Sequence, residues 1–138
     1  MRATEHQRFV FLRLEHCLQH LAMPPESQLQ LLPDFVCKAD ELALSFDHWR
    51  EVAANNYGFQ LTPSQAAALS AIDNAFVLFS DSNPEHWTDE AVRSSAEWQE
   101  IRRLAAEALS VFEWQHEMPP SYAHEFVKAT AFPFVKRE

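Results

Sequence analysis

Apolar residues recur along this chain at steps of three and four, the spacing that places side chains on one face of an α-helix. The clearest series predicts a helix over about residues 34–54; its members are Phe35, Ala39, Leu42, Phe46, Trp49 and Ala53. A second series predicts a helix over about 4–22, opened by a capping box of Thr4 and Gln7. Its apolar members are Val10, Leu14, Cys17, Leu18 and Leu21.

Two more long helices follow in the second half of the chain. Thr62 and Gln65 form a capping box around Pro63 and predict a helix over about 63–80. Its apolar series is Leu69, Ile72, Phe76 and Phe79. Ser94 and Glu97 form another capping box and open a helix over about 94–114, with the series Ile101, Leu104, Ala105, Ala108 and Phe112. Shorter helices are predicted near 26–32, 88–93 and 121–130.

The glycine content supports this helical interpretation, because Gly58 is the single glycine in 138 residues. Hairpins draw on glycine for turns with positive φ, whereas helices are destabilised by it. With 47% hydrophobic residues, the chain carries enough apolar surface for one core. We therefore predict an all-α, compact, single-domain bundle over residues 1–138, built on about four main helices.

The four tryptophans each follow a polar residue, yet the helical spacing separates them. Trp49 lies in the series of the 34–54 helix, and Trp98 lies at the apolar edge of the 94–114 helix, so both are predicted core residues. Trp87 precedes a short helix at the position of a hydrophobic staple. Trp114 alone falls on the polar face of its predicted helix, which makes it a candidate contact residue.

The charge is strongly negative, with a net value of −9. Residues 81–117 alone hold nine acidic residues against Arg93, Arg102 and Arg103. Such a charge repels phosphate backbones and anionic membrane surfaces, so we expect neither nucleic-acid nor membrane binding. The acidity suits solubility alone, and a basic protein partner is the alternative that it also allows.

Cysteine usage and the first residues bear on the compartment. Cys17 and Cys37 have no C-x-x-C spacing, and Cys17 lies on an apolar helix face, as a free thiol does in a reducing environment. Charged residues interrupt the first apolar stretch, so it resembles neither a signal peptide nor a membrane span. We expect the protein to be cytoplasmic.

Two pairs of residues have the spacing of metal ligands. His16 and His20 lie four residues apart, and Glu113 and His116 form the E-x-x-H element of di-iron bundles. A di-iron site needs a second E-x-x-H element, and the sequence contains none. We expect the histidine pair to lie on a solvated helix face and no cofactor to bind, with a metal site kept as the alternative.

Catalytic signatures are missing from the sequence, which has no glycine-rich phosphate loop, G-x-S-x-G elbow or Cys/His nucleophile pattern. Asp73 is the most notable single acid, because it borders the apolar series of the 63–80 helix. A half-buried carboxylate needs a cationic or hydroxyl partner, and Arg102 is our candidate for that partner.

Three hypotheses follow. The first is a non-enzymatic acidic helical protein that binds a basic protein, in the manner of bacterial immunity proteins or antitoxins. Its candidate contact residues are Asp89, Glu90, Glu100, Glu107, Glu113 and Trp114. The second is a metal-binding bundle, enzyme or sensor, that uses the His and Glu pairs. The third is a self-associating structural protein. It would form a homo-oligomer through Leu44, Val77 and Leu78, apolar residues that lie outside the apolar series of their helices.

Overall fold

The computed structural model describes residues 4–80 and 84–120, within which the chain forms six α-helices and no strand. They are α1 (Glu5–Leu21), α2 (Pro25–Gln30), α3 (Lys38–Tyr57), α4 (Pro63–Ser80), α5 (Asp89–Ser94) and α6 (Ala96–Phe112). The all-α prediction is confirmed, and α1, α3, α4 and α6 are the four main helices that the spacing predicted. The helix predicted near 121–130 lies outside the described residues.

Hydroxyl caps start most of these helices, as their sequences indicated. The Thr4 hydroxyl accepts from the Gln7 amide at 3.0 Å, and Thr88 accepts from the Ala91 amide at 3.1 Å. The start of α6 differs from the prediction, because Ser95 is the residue that caps it, by accepting from the Trp98 amide. Ser94 instead belongs to α5, whose last turn it closes by donating to the Glu90 carbonyl oxygen at 2.9 Å.

The start of α3 is the largest error in the predicted helices. The helix begins at Lys38 rather than near residue 34, because Pro33 and Val36 form a separate turn and Cys37 is extended. Phe35, the first member of the predicted series, is therefore 65% exposed. The end of α3 also lies beyond residue 54, and Gly58 there has a right-handed φ of −58°, so no positive φ requires the glycine.

The long helices pack around one apolar core. Helix α1 runs antiparallel to α3, since His6 contacts Tyr57 and Cys17 contacts Ser45. Helix α6 packs against both α1 and α4, and α4 meets α3 more loosely. The largest fully buried side chains come from all four of these helices: Leu14, Leu18, Leu21, Phe46, Ile72, Trp98, Ile101 and Leu109.

Helix α1 is buried more completely than its sequence indicated. Besides its apolar series, Arg13, His16 and Gln19 are buried, although the wheel places them away from that series. The chain beyond α6 contributes to this burial, because Gln19 Nε2 donates to the main-chain oxygen of Gln115 at 3.0 Å. The prediction that His16 lies on a solvated helix face is thus wrong.

Among the described helices, none combines the length and the apolar character needed to cross a lipid bilayer.

Candidate partner-binding surface

The exposed face of α6 holds two of the candidate contact residues in a fixed arrangement. Glu100 and Glu107 lie two turns apart, with Arg103 between them. Arg103 donates from Nε and Nη2 to the two oxygens of Glu100 at 3.0 and 2.6 Å, and from Nη1 to Glu107 at 2.5 Å. The hydrogen bonds from Arg103 lower the pKa of Glu100, so this carboxylate stays charged. Glu100, Arg103 and Glu107 together carry a net charge of −1, and their hydrogen bonds hold the three side chains in a row along α6.

The neighbouring Arg102 points into the protein. Its Nη1 donates to Gln28 Oε1 at 3.0 Å and to the main-chain oxygen of Val92 at 2.9 Å. Burial lowers the pKa of Arg102 without making this guanidinium neutral near pH 7. Arg93, a third cation of this segment, pairs with Glu26 of α2 at 2.9 Å. Of the three cations in residues 81–117, Arg102 is therefore the one that is turned away from the surface.

Arg102 is consequently not the partner of Asp73, and that prediction is wrong. Asp73 lies 3.6 Å from Nη2 of Arg50, which also lies 3.5 Å from Asp47. Arg50 comes from α3, so this contact joins α3 to α4 at their loose interface. Asp73 is half-buried, as the sequence indicated, and its position is accounted for by structural pairing.

Asp89 and Glu90 lie in the first turn of α5, where acidic side chains are favoured by the helix dipole. Both are exposed, and Glu90 accepts from the Ser94 hydroxyl at 3.0 Å. Cys37, just before α3, is close enough to Asp40 and Asp89 that their charges raise the pKa of its thiol, after the larger effect of burial. The starts of α3 and α5 thus form one acidic region.

The end of α6 decides the position of Trp114. Glu113 adopts the left-handed conformation, with φ 62° and ψ 35°. The Glu113 amide donates to the Ser110 carbonyl oxygen, and the Trp114 amide donates to the Leu109 carbonyl oxygen. This is the hydrogen-bond pattern of a Schellman motif. Because the helix ends at Phe112, the wheel position predicted for Trp114 does not apply. The Trp114 ring is half-buried and stacks on Phe112, with centroids 4.3 Å apart.

The other tryptophans are structural, in agreement with the sequence. Trp49 and Trp98 are buried, and the Trp98 indole donates to the His86 carbonyl oxygen at 2.8 Å. Trp87 packs between Phe79 and Trp98, with ring centroids 5.0 and 6.0 Å away. Trp114 is thus the one tryptophan that remains a candidate contact residue, through the half of its ring that is exposed.

The six candidate residues come from α5, from α6 and from the turn after α6. Asp89 and Glu90 lie in the first turn of α5, Glu100 and Glu107 lie on the exposed face of α6, and Glu113 and Trp114 follow its end. These six residues are called the α6 acidic surface below. Glu117, which follows Trp114 in the chain, was not among the predicted contact residues. It lies close enough to Glu15 of α1 that its charge, together with the larger effect of burial, raises the pKa of the Glu15 carboxyl.

The candidate metal ligands each make their own contact and do not form one cluster. His20 Nε2 donates to the Gln28 main-chain oxygen at 3.0 Å, and His116 Nε2 donates to that of Ala22 at 3.3 Å. Arg13 Nη1 lies 3.3 Å from His16 Nδ1, and Glu113 belongs to the cap of α6. Across residues 4–80 and 84–120, no three His, Cys, Asp or Glu side chains converge in a way that could hold a metal ion.

His16 gives the fold a specific dependence on pH. Burial and the nearby Arg13 charge lower the pKa of His16 from 6.5 to about 4. The unfolded chain therefore binds this proton first as the pH falls, and the folded state loses stability between about pH 6.5 and pH 4. We expect the loss to be on the order of 2 kcal/mol at the acidic end of this range, with partial solvation allowed for.

The variant His16→Gln isolates this effect, because glutamine is neutral at every pH and can still accept a hydrogen bond from Arg13. The measurement is the free energy of unfolding in urea for both proteins from pH 7 to pH 4. Carboxylates with altered pKa values are common to both chains, so they cancel in the comparison. Parallel pH profiles would show that His16 is not the group responsible.

Comparison of the chain with protein-family models, with curated proteins and with solved structures finds no match.

Proposed function

We propose that this protein binds a basic protein partner through the α6 acidic surface and has no catalytic role of its own. The inward turn of Arg102 is the observation that carries the proposal, because it removes one cation from the surface of the most acidic segment. The carboxylates that remain outside are exposed and partly ordered by Arg103. An acidic field of this kind accelerates encounter with a positively charged surface and orients it.

Trp114 supports the proposal at one end of this surface. Its ring is fixed by stacking on Phe112 and by the hydrogen bonds of the Schellman motif. A rigid ring that is half exposed can bury further area on a partner with little loss of conformational entropy. Its neighbours Glu113, Glu117 and Met118 are exposed, which suits the approach of an arginine or lysine side chain whose methylene groups also need an apolar contact.

An inhibitory role is the form of this function that we favour. Immunity proteins and antitoxins in bacteria cover basic toxins with an acidic surface, and the exposed Glu100 and Glu107, held in place by Arg103, can meet a basic cleft in the same way. In this interpretation the partner, rather than this chain, carries the chemistry.

Charge reversal at Glu100 and Glu107 tests the proposal. The immobilised chain is used to capture proteins from extracts of its source cells, and the captured partner is purified and titrated against the variants. We expect a basic partner whose affinity falls about tenfold or more for Glu100→Lys/Glu107→Lys, chiefly through a slower association rate. High salt should weaken binding of the unaltered chain, because it screens the same attraction.

Glu5→Lys/Glu51→Lys is the matched control. These two glutamates are exposed on α1 and α3, and their reversal changes the net charge by the same amount. Far-ultraviolet circular dichroism should show the same helix content for both double variants. Equal losses of affinity in the two variants, or a captured partner that is not basic, would remove the support for a specific acidic surface.

A further inference from the structure

The outer face of α4 carries no charged side chain. It presents small or apolar side chains and one amide, all exposed: Ala66, Ala67, Ser70, Asn74, Val77 and Leu78. Leu78 is 77% exposed and Val77 is 51% exposed. The only charged residue of α4 is Asp73, whose carboxylate points towards Arg50 of α3. The six exposed residues, called the α4 face below, therefore form an uncharged strip.

Charge decides which kind of partner suits this strip. A basic partner gains no electrostatic attraction from an uncharged face, whereas the α6 acidic surface offers it that attraction. Two copies of this chain repel each other, since each carries a net charge of −9. An uncharged face is where two such copies can approach with the least repulsion. The α4 face thus favours a second copy over an oppositely charged protein.

The order of residues in the α4 face is self-complementary. In an antiparallel pair of α4 helices related by a two-fold axis level with Ile72, Ala66 meets Val77 of the other copy along one edge of the face, and Ala67 meets Leu78 along the other edge. Ser70 then lies opposite Asn74. Each large side chain of one copy meets a small one of the other, which allows close helix approach, as an isologous interface requires. The Ser70 hydroxyl and the Asn74 amide have the groups to hydrogen-bond across the axis, twice per dimer.

We propose that the protein forms a two-fold symmetric homodimer through antiparallel packing of the α4 face. The helix dipoles of the two copies are then antiparallel, which is the favourable arrangement. A face on an 18-residue helix is about 27 Å long. The area that it can bury lies at the low end of specific interfaces. We therefore expect a reversible dimer.

Exposure of a leucine is not sufficient for this role, as Leu44 shows. Leu44 is 58% exposed on α3. However, Asp40, Glu41 and Asp47 lie within one helical turn of it. A second copy would bring these carboxylates together. Leu44, which the sequence grouped with Val77 and Leu78, therefore stays outside the proposed interface and provides a matched control.

Sedimentation equilibrium on the full chain from micromolar to near-millimolar concentration tests the dimer. We expect a monomer–dimer equilibrium for the unaltered chain, and a weakening of dimerisation by more than tenfold in Leu78→Glu. Leu44→Glu adds the same charge at another exposed leucine and should dimerise within about twofold of the unaltered chain. Salt should strengthen the dimer by screening the repulsion, the opposite of its effect on a basic partner.

Paired cysteines test the register. In a Cys37→Ser background, the double variant Ser70→Cys/Asn74→Cys should cross-link to a covalent dimer under mild oxidation by copper phenanthroline, because each new thiol faces its counterpart in the other copy. The buried Cys17 remains in place. A control with Leu44→Cys in the same background should form far less dimer.

Three outcomes would overturn the proposal: a strict monomer at every concentration, equal dimerisation of Leu78→Glu and Leu44→Glu, or equal cross-linking of the two cysteine designs. None of them bears on the α6 acidic surface, because the α4 face shares no residue with it.

Discussion

Trp98→Ala is expected to lower the free energy of unfolding by about 3–5 kcal/mol. Trp98 is 0% exposed, and its ring lies 5.5 Å from the rings of both Phe76 and Phe79. Truncation leaves a cavity where α4, α6 and the segment before α5 meet. It also removes the indole donor from the His86 carbonyl oxygen. Because small domains have only about 5–15 kcal/mol of stability, this variant should be close to unfolding at 37 °C.

Urea denaturation followed by far-ultraviolet circular dichroism measures this loss. Trp98→Phe keeps an aromatic ring in the cavity and removes the N–H donor, so its loss should be smaller, at about 1–3 kcal/mol. A loss below about 1 kcal/mol for Trp98→Ala would mean that the core closes around the missing ring, contrary to the close packing expected of protein interiors.

Arg102→Met is expected to destabilise the fold by about 2–3 kcal/mol, although the substitution retains most of the side chain's apolar length. Arg102 donates to Gln28 Oε1 and to the Val92 carbonyl oxygen. Gln28 is fully buried and donates in turn to the Leu21 carbonyl oxygen at 2.9 Å. This chain of hydrogen bonds joins α1, α2, α5 and α6. Removal of the guanidinium leaves buried oxygen atoms without a donor.

Arg103→Met is the matched control, because it makes the same change at the next residue. Arg103 is exposed and its two ion pairs lie at the surface, so Arg103→Met should lower the free energy of unfolding far less than Arg102→Met. A double-mutant cycle with Gln28→Leu then measures the coupling. Gln28→Leu alone removes the side-chain acceptor of a partly buried charge and leaves it only the Val92 carbonyl oxygen, so the double variant should cost at least about 1 kcal/mol less than the sum of the two single variants. Additive losses would show that the two side chains act independently.

Local signals explain which predictions were confirmed. The apolar spacing and the hydroxyl caps lie within a few residues of each helix, so α1, α4 and α6 could be placed to within about two residues. The same spacing failed at Phe35 because an apolar residue can continue a series by position while its backbone lies in a preceding turn. It failed at Trp114 because a wheel has no meaning beyond the last helical residue.

The candidate surface was predictable only in part. The acidic content of residues 81–117 and the exposure of Glu100 and Glu107 follow from the sequence and the helix period. The different roles of two adjacent arginines do not. Arg102 lies beside the apolar series and Arg103 on the outer face, but the partner of Arg102 is Gln28, at a sequence distance of 74 residues. Nothing local to either residue indicates this pair.

The sequence by itself determined the helical elements and the negative charge of this protein, because side-chain period, caps and composition act over one or two turns. The tertiary structure alone decided which polar groups are buried and with which partners. Arg13, His16 and Gln19 have the sequence character of a solvated face, yet they are buried. Gln19 meets Gln115 from beyond the end of α6. Burial of a polar group depends on such contacts between distant segments, and these form only when the helices pack.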